Sequence, residues 1–209
     1  MPDNHVKNVI EAALLAAGRP VSAAELRELF DEFARPDLKT VEAAIATLAG
    51  EYHGRGIVLT EVASGYRIQV REELAQPVSR LWQERPARYS RAMLETLALI
   101  AYRQPITRGE IEDIRGVAVN PNITRTLLER GWVRVIGHRE VPGRPELLAT
   151  TREFLDYFGL KTLDDLPTLA AIKDLDTLGV QLEFDSPAGA TAPEGAPGEA
   201  DAAGNGAGD

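Results

Sequence analysis

One short pattern occurs twice in the chain and constrains its fold more than any other feature. Arg19-Pro20-Val21-Ser22-Ala23-Ala24-Glu25-Leu26 returns 85 residues later as Gln104-Pro105-Ile106-Thr107-Arg108-Gly109-Glu110-Ile111. Both copies read x-Pro-(Val/Ile)-(Ser/Thr)-x-x-Glu-(Leu/Ile). The chemistry is a capping box: the hydroxyl oxygen accepts from a first-turn N–H, and the glutamate reaches back to the N–H of the capping residue. Val21 and Ile106 stand at the staple position before each cap. A single capping box is common, but two with the same preceding proline, each following an apolar helical stripe, point to a duplicated unit.

The first copy opens with Val6, Val9, Ile10, Ala13, Leu14 and Ala17 on one helical face, ended by Gly18. After the cap at Ser22, Leu26, Leu29, Phe30 and Phe33 predict a second helix stopped by Pro36, and Leu38, Val41, Ile45, Leu48 and Tyr52 a third. The period then switches to two in the runs 57–62 and 66–71, joined by a turn at Ser64-Gly65. Three helices followed by a hairpin is the order of a winged helix.

The second copy repeats that order. Leu94, Leu97, Ala98 and Ala101 form the first stripe, and Ile111 and Ile114 follow the cap at Thr107 as far as Gly116. Ile123 and Leu127 carry a third helix to Gly131, and Trp132 to Ile136 reads as a strand. Gly137 to Pro145 reads as a long wing and 147–149 as the returning strand, with Gly143 shaping the turn. Thr150-Thr151-Arg152-Glu153 then caps an added helix with Phe154, Leu155, Tyr157 and Phe158 up to Gly159, and at least one of Phe154 and Phe158 is expected in the core. Leu74, Val78, Leu81 and Trp82 have helical spacing before the linker, with Pro77 tolerable only near a first turn. The expected fold is mainly α with small β wings (α+β): two tandem winged-helix domains at 1–84 and 90–170, a linker at 85–89, and a largely disordered tail at 171–209. Units of about 80 residues bury only about 60–65% of their extended surface and gain from docking on a partner.

Charge supports this division. The net charge of −9 splits into −3 over 1–80, +1 over 81–170 and −7 over 171–209, so the acidity sits in the tail. From Ser186 to Asp209, 17 of 24 residues are Gly, Ala or Pro, too few apolar groups to offset ordering entropy. There is no cysteine, hence no disulfide, thiol nucleophile or cysteine metal site. No apolar run approaches the roughly 20 residues of a membrane span. The first residues lack the pattern of a signal peptide, so a cytoplasmic protein is expected.

Catalytic chemistry finds no foothold in the sequence. His5, His53 and His138 lack metal-ligand spacing, and neither a phosphate-binding glycine loop nor a Gly-x-Ser-x-Gly elbow is present. Neither a catalytic residue nor a cofactor is expected. Binding residues are more readily named. Aromatic side chains dominate protein interfaces, which makes Tyr102, Trp132 and Phe158 the partner-binding candidates, with Tyr102 and Trp132 expected at the surface. Arg125, Arg134, Arg139 and Arg144 run from the third helix of the second unit through its wing and are the candidates for nucleic-acid contact. Acidic residues are interspersed throughout. Ion pairing of Arg130 and Arg134 with Glu129, Glu140 or Glu146, or protein contact, is therefore favoured over DNA.

The stretch from Tyr89 through Ile111 resembles the ScpB family of segregation and condensation proteins. So do 126–131 (Thr-Leu-Leu-Glu-Arg-Gly), 141–145 (Val-Pro-Gly-Arg-Pro) and 154–160 (Phe-Leu-Asp-Tyr-Phe-Gly-Leu) with 163–167 (Leu-Asp-Asp-Leu-Pro). The likeness covers roughly residues 6–170 and is specific in the second unit, architectural in the first. Val119 to Asn122 and Ala149 depart from the usual family pattern. The resemblance implies a non-enzymatic subunit of a bacterial SMC complex acting in chromosome condensation and segregation at the nucleoid. It implies a homodimer through the first units, a kleisin partner, ScpA, gripped by the second, and an SMC ATPase reached indirectly through ScpA. Contact with chromosomal DNA would be weak or indirect. The alternative is a winged-helix transcription regulator.

Overall fold

The structure, a computed structural model, describes residues 2–81 and 89–168. The expected linker lies outside the described residues except for Tyr89, and so does the expected tail from 171 onward.

In the N-terminal half, α1 (Pro2–Ala17), α2 (Ala23–Arg27) and α3 (Leu38–Glu51) precede an antiparallel hairpin of β1 (Ile57–Val62) and β2 (Gly65–Val70). Ile10, Leu14, Val21, Leu26, Val41, Ala44, Ile45 and Leu48 form its core, with Leu59, Tyr66 and Ile68 of the hairpin packed against it. Ile10, Leu14, Leu26, Val41, Ile45 and Leu48 are residues that the helical period places inward, whereas Leu38 of the same expected stripe is exposed. Tyr52 is buried, and its hydroxyl donates to Glu11 at 2.7 Å. Burial and that carboxylate push the phenol up to about 12.

The second helix is shorter than its apolar spacing predicts. It ends at Arg27, and the chain continues in turns closed by Leu29→Leu26 and Phe30→Arg27 backbone bonds, each spanning three residues. Phe30 reaches the core, whereas Leu29 and Phe33 remain exposed. A hydrophobic stripe stays helical only where another element covers it, and nothing faces these two side chains among the described residues. After β2, α4 (Glu72–Ser79) carries Pro77 in its second half rather than its first turn. The proline removes the single N–H that would reach the Glu73 carbonyl, and an eight-residue helix without buried side chains tolerates the loss.

In the C-terminal half, α5 (Arg91–Arg103) leads through β3 (Ile106–Thr107) into α6 (Arg108–Arg115) and α7 (Pro121–Glu129). Strands β4 (Val133–His138) and β5 (Glu146–Thr150) and helix α8 (Arg152–Phe158) follow, and Leu163–Asp165 forms a 3-10 turn. Trp132 lies just before the first strand rather than within it. The sheet order is β3-β5-β4, with a bulge between Val135 and Gly137. A second core gathers Met93, Leu97, Ile100, Ile106, Ile111, Leu127, Trp132, Leu148 and Phe154. Gly143 adopts φ +87° at the wing tip, a left-handed turn position that favours glycine.

Both capping boxes are formed. Ser22 accepts from the Glu25 N–H and Thr107 from the Glu110 N–H, and each glutamate accepts from the backbone N–H of its cap. The staple residues do more than pack. Val21 exchanges two backbone hydrogen bonds of 2.9 Å with Tyr66 on β2, and Ile106 pairs with Leu148 on β5. In each half the residue before the cap thus adds a strand segment to the hairpin and ties the helix start to it.

The halves touch where the first hairpin turns. The Ala63 N–H donates to the Leu160 carbonyl at 3.0 Å, and the Ser64 N–H to the Asp156 carboxylate at 2.9 Å. An exposed Lys161–Glu61 ion pair at 2.8 Å lies beside them.

Candidate partner-binding surface

Helix α8 is held against the second core by Phe154, and its outer turn carries two aromatic rings into solvent. Tyr157 is 51% exposed and Phe158 41%. They rest on Trp132, whose ring centroid lies 4.5 Å from that of Tyr157 and 5.4 Å from that of Phe158. Trp132 itself is only 3% exposed, which corrects the expectation of a surface tryptophan. The reason is local: Trp132 follows Gly131, which turns the chain at φ +68°, and Tyr89, Tyr157 and Phe158 close over it. The expectation that at least one of Phe154 and Phe158 is buried holds for Phe154.

A cation completes the cluster. The Arg130 guanidinium lies 4.9 Å from the Tyr89 ring centroid and 5.3 Å from that of Trp132, and its Nη1 donates to the Tyr89 hydroxyl. The hydroxyls of Tyr89 and Tyr157 are 2.8 Å apart, and that hydrogen bond, with burial, raises the Tyr157 phenol above its ordinary range. The result is a stiff aromatic platform, since stacked rings and a planar guanidinium leave little rotamer freedom to lose on binding. Tyr89, Arg130 and Tyr157 were not among the sequence candidates. Their separation in the chain hides the grouping, and only Tyr157, beside Phe158 on the aromatic helix, carried a sequence signal.

Tyr102 occupies a different place. It is half-buried near the end of α5, and its hydroxyl donates to the Pro167 carbonyl. It lines an open cavity of about 510 Å³ with Glu95, Ala98, Leu99, Arg103, Arg115 and Val117. Val117, 56% exposed, is displayed there by the left-handed C-cap of α6 at Gly116.

The arginine series is largely consumed within the chain. Arg125 pairs with Glu129 at 2.8 Å, Arg144 with Glu140 at 3.3 Å, and Arg139 with Glu110 at 2.8 Å. Glu110 is thereby shared between its own cap and the wing. The Thr107 N–H and hydroxyl, with Arg139 beside them, hold its carboxyl below the usual range. Arg134 is exposed and makes no ion pair among the described residues, and Arg130 stacks on aromatics instead of pairing with an acid. Exposed pairs contribute little stability, but they place a carboxylate beside each cation and so remove the uniform positive field that phosphates require. Among the described residues no cluster of three or more acidic or histidine side chains could hold a metal ion, and no helix is long and apolar enough to cross a membrane.

Comparison with known proteins agrees with the sequence resemblance. A family model described as segregation and condensation complex subunit ScpB matches residues 8–169. The segregation and condensation protein B homolog of Coxiella burnetii is 50% identical over 181 residues, covering 87% of each chain. Segregation and condensation protein B of Syntrophotalea carbinolica is 46% identical over 187 residues, covering 88% of this chain and 92% of the relative. Among solved structures, ScpB from Mycobacterium tuberculosis is 37% identical, with 76% of this chain and 97% of that one covered and a TM-score of 0.35. The chain belongs to the ScpB family of segregation and condensation complex subunits.

Proposed function

We propose that this chain is the non-enzymatic, tandem winged-helix adaptor of a bacterial SMC complex, acting in chromosome condensation and segregation. It binds the kleisin ScpA with its C-terminal half, reaches the SMC ATPase only through ScpA, and self-associates through its N-terminal half. The observation that carries the partner-binding part is the aromatic platform: two exposed rings, Tyr157 and Phe158, mounted on a buried Trp132 and braced by Arg130. Such an arrangement suits an apolar segment of a partner, with Phe158 as direct anchor, Tyr102 as a second one and Trp132 as the support beneath them. Leu15, Leu29, Phe33 and Leu38 are exposed large apolar side chains of the N-terminal half that self-association could cover.

Contact with DNA is weak or indirect in this reading, because three of the four candidate arginines already face a carboxylate. Location at the nucleoid follows from the partner. Calorimetric titration of the full chain with ScpA tests the reading. Phe158→Ala and Tyr102→Ala are each expected to weaken binding by about thirtyfold, and Arg139→Ala by much less. Absence of any ScpA binding, or a sharp sequence motif bound with at least about a thousandfold preference over random duplex, overturns it in favour of a regulator.

A further inference from the structure

The segment 156–161 at the end of α8 serves both halves of the molecule at once. Asp156 and Leu160 accept from the Ser64 and Ala63 amides of the first hairpin's turn, and Lys161 pairs with Glu61 on β1. Between them stand Tyr157 and Phe158, the two exposed rings that rest on Trp132. Arg67 of β2 faces the remaining position, since a Cβ on Gly159 would lie 3.7 Å from its Nη2. The contact with the N-terminal half thus brackets the aromatic platform on both sides. We propose that this contact is a salt-weakened latch with a closed and an open state, and that its closing stiffens the turn of α8 that displays Tyr157 and Phe158.

Two observations carry the open state. The contact is polar: neither hydrophobic core draws a residue from the other half, and the bonds use backbone amides, a carboxylate and an exposed ion pair. Small polar contacts between domains leave them free to move, and an exposed pair contributes little and is screened by salt. The closed state also carries a cost, because the Arg67 Nε is buried without a hydrogen-bond partner and opening returns it to water. The effect on the rings follows from the shortness of α8. It has seven residues with only Phe154 buried, far below the length at which a helix stands alone. Its last turn is closed by the Leu160 N–H, which donates to the Leu155 carbonyl at 2.8 Å. The carbonyl of that same residue accepts from Ala63, so Leu160 is pinned by its own helix on one side and by the other half on the other. Rings displayed from a turn fixed in this way lose less freedom when they are covered, so the closed latch prepares the platform for an occupant.

The latch is a property of the chain alone, so its test uses no partner and can fail while the reading of the partner stands. The chain has no native cysteine, and Ala12→Cys with Asn122→Cys places one spin label at an exposed site in each half. Diluting the labelled full chain into excess unlabelled chain removes distances between copies. The distribution of distances between the labels is expected to be narrow at about 0.01 M salt and broad at about 1 M, as the screening length falls from about 30 Å to about 3 Å. Lys161→Glu sets two carboxylates face to face at Glu61. It is expected to broaden the distribution at low salt and to speed hydrogen exchange at the Leu160 amide by at least about threefold. Adding Glu61→Lys to that variant restores the pair with its charges exchanged, and is expected to restore both readouts, which a loss of folding would not allow. Distances that ignore both salt and charge reversal overturn the proposal. So does broadening with unchanged exchange at Leu160, because the halves would then separate without loosening the end of α8.

Discussion

The Ser64 N–H donates to the Asp156 carboxylate across 2.9 Å, although 92 residues separate them. Ser64 lies in the tight turn of the first hairpin and Asp156 on the last full helix, so this bond joins the two halves. A hydrogen bond to an ionised group contributes more than a neutral one, and its loss leaves the amide to water. Asp156→Ala is therefore expected to speed hydrogen exchange at the Ser64 amide by about tenfold or more, with little change at core amides such as Leu48. Unchanged exchange at Ser64 would show that the halves are held by other contacts.

Trp132 and Phe158 touch, yet their truncation should differ in kind. Trp132→Ala removes the buried centre of three ring contacts and one cation contact, and is expected to cost about 3–5 kcal/mol in urea unfolding of the C-terminal half. Phe158→Ala, at a half-exposed ring, should cost about half of that or less. Equal costs would mean that Phe158 serves the core and not a binding surface.

Two glycines make an opposed pair. A Cβ on Gly65 would lie 2.4 Å from the Val21 carbonyl oxygen, and the residue sits at φ +141°. Gly65→Ala is expected to lower stability by at least about 2 kcal/mol, through backbone strain and loss of the Val21–Tyr66 bridge. Gly109, in the first turn of α6, has open space around it, and Gly109→Ala is expected to raise stability by up to about 1 kcal/mol. Thermal melting of the two variants should shift in opposite directions.

Acid should erode the helix starts. Hydrogen bonds from the Ser22 backbone and hydroxyl, then from Arg19, depress the Glu25 carboxyl from 4.5 to about 2, and Glu110 is lowered by the equivalent donors. A carboxyl depressed on folding stabilises the folded state above its unfolded value. That contribution is lost as pH falls from about 4.5 toward about 2. Glu25→Gln should flatten the stability profile in that window and lower stability at neutral pH, where the carboxylate's contribution is fully present, as followed by denaturation at successive pH values. A wild-type profile already flat there would contradict the role of the box.

The elements that local chemistry dictates were legible in the sequence. The capping boxes at Ser22 and Thr107, the first hairpin and the burial of at least one of Phe154 and Phe158 follow from short-range patterns, although the hairpin turns at Ala63-Ser64, one residue before the expected place, with Gly65 paired to Val62. What escaped depends on distant neighbours. Leu29 and Phe33 share a helical spacing with Leu26, but no facing element rewards a longer helix. Trp132 was expected at the surface because nothing local says that Tyr89 and Tyr157 will close over it. The ion pairs of Arg125 and Arg144 lie within the chain's own helical and wing spacing, whereas the Arg139–Glu110 contact spans 29 residues and emerges only from folding.

The two hairpins, β1–β2 and β4–β5, are hitched differently to what lies around them. Through Arg139 the β4–β5 hairpin pulls on the same carboxylate that caps α6, so traction on its tip is delivered as a load on the first turn of that helix. In the N-terminal half the Glu25 carboxylate is braced by nearby Arg19, and the β1–β2 hairpin pulls on the main chain at Val21 and, through Ser64, on the last helix of the other half. A force on the tip of β4–β5 is therefore passed to α6 in the same half, whereas one on the turn of β1–β2 crosses to α8 in the other.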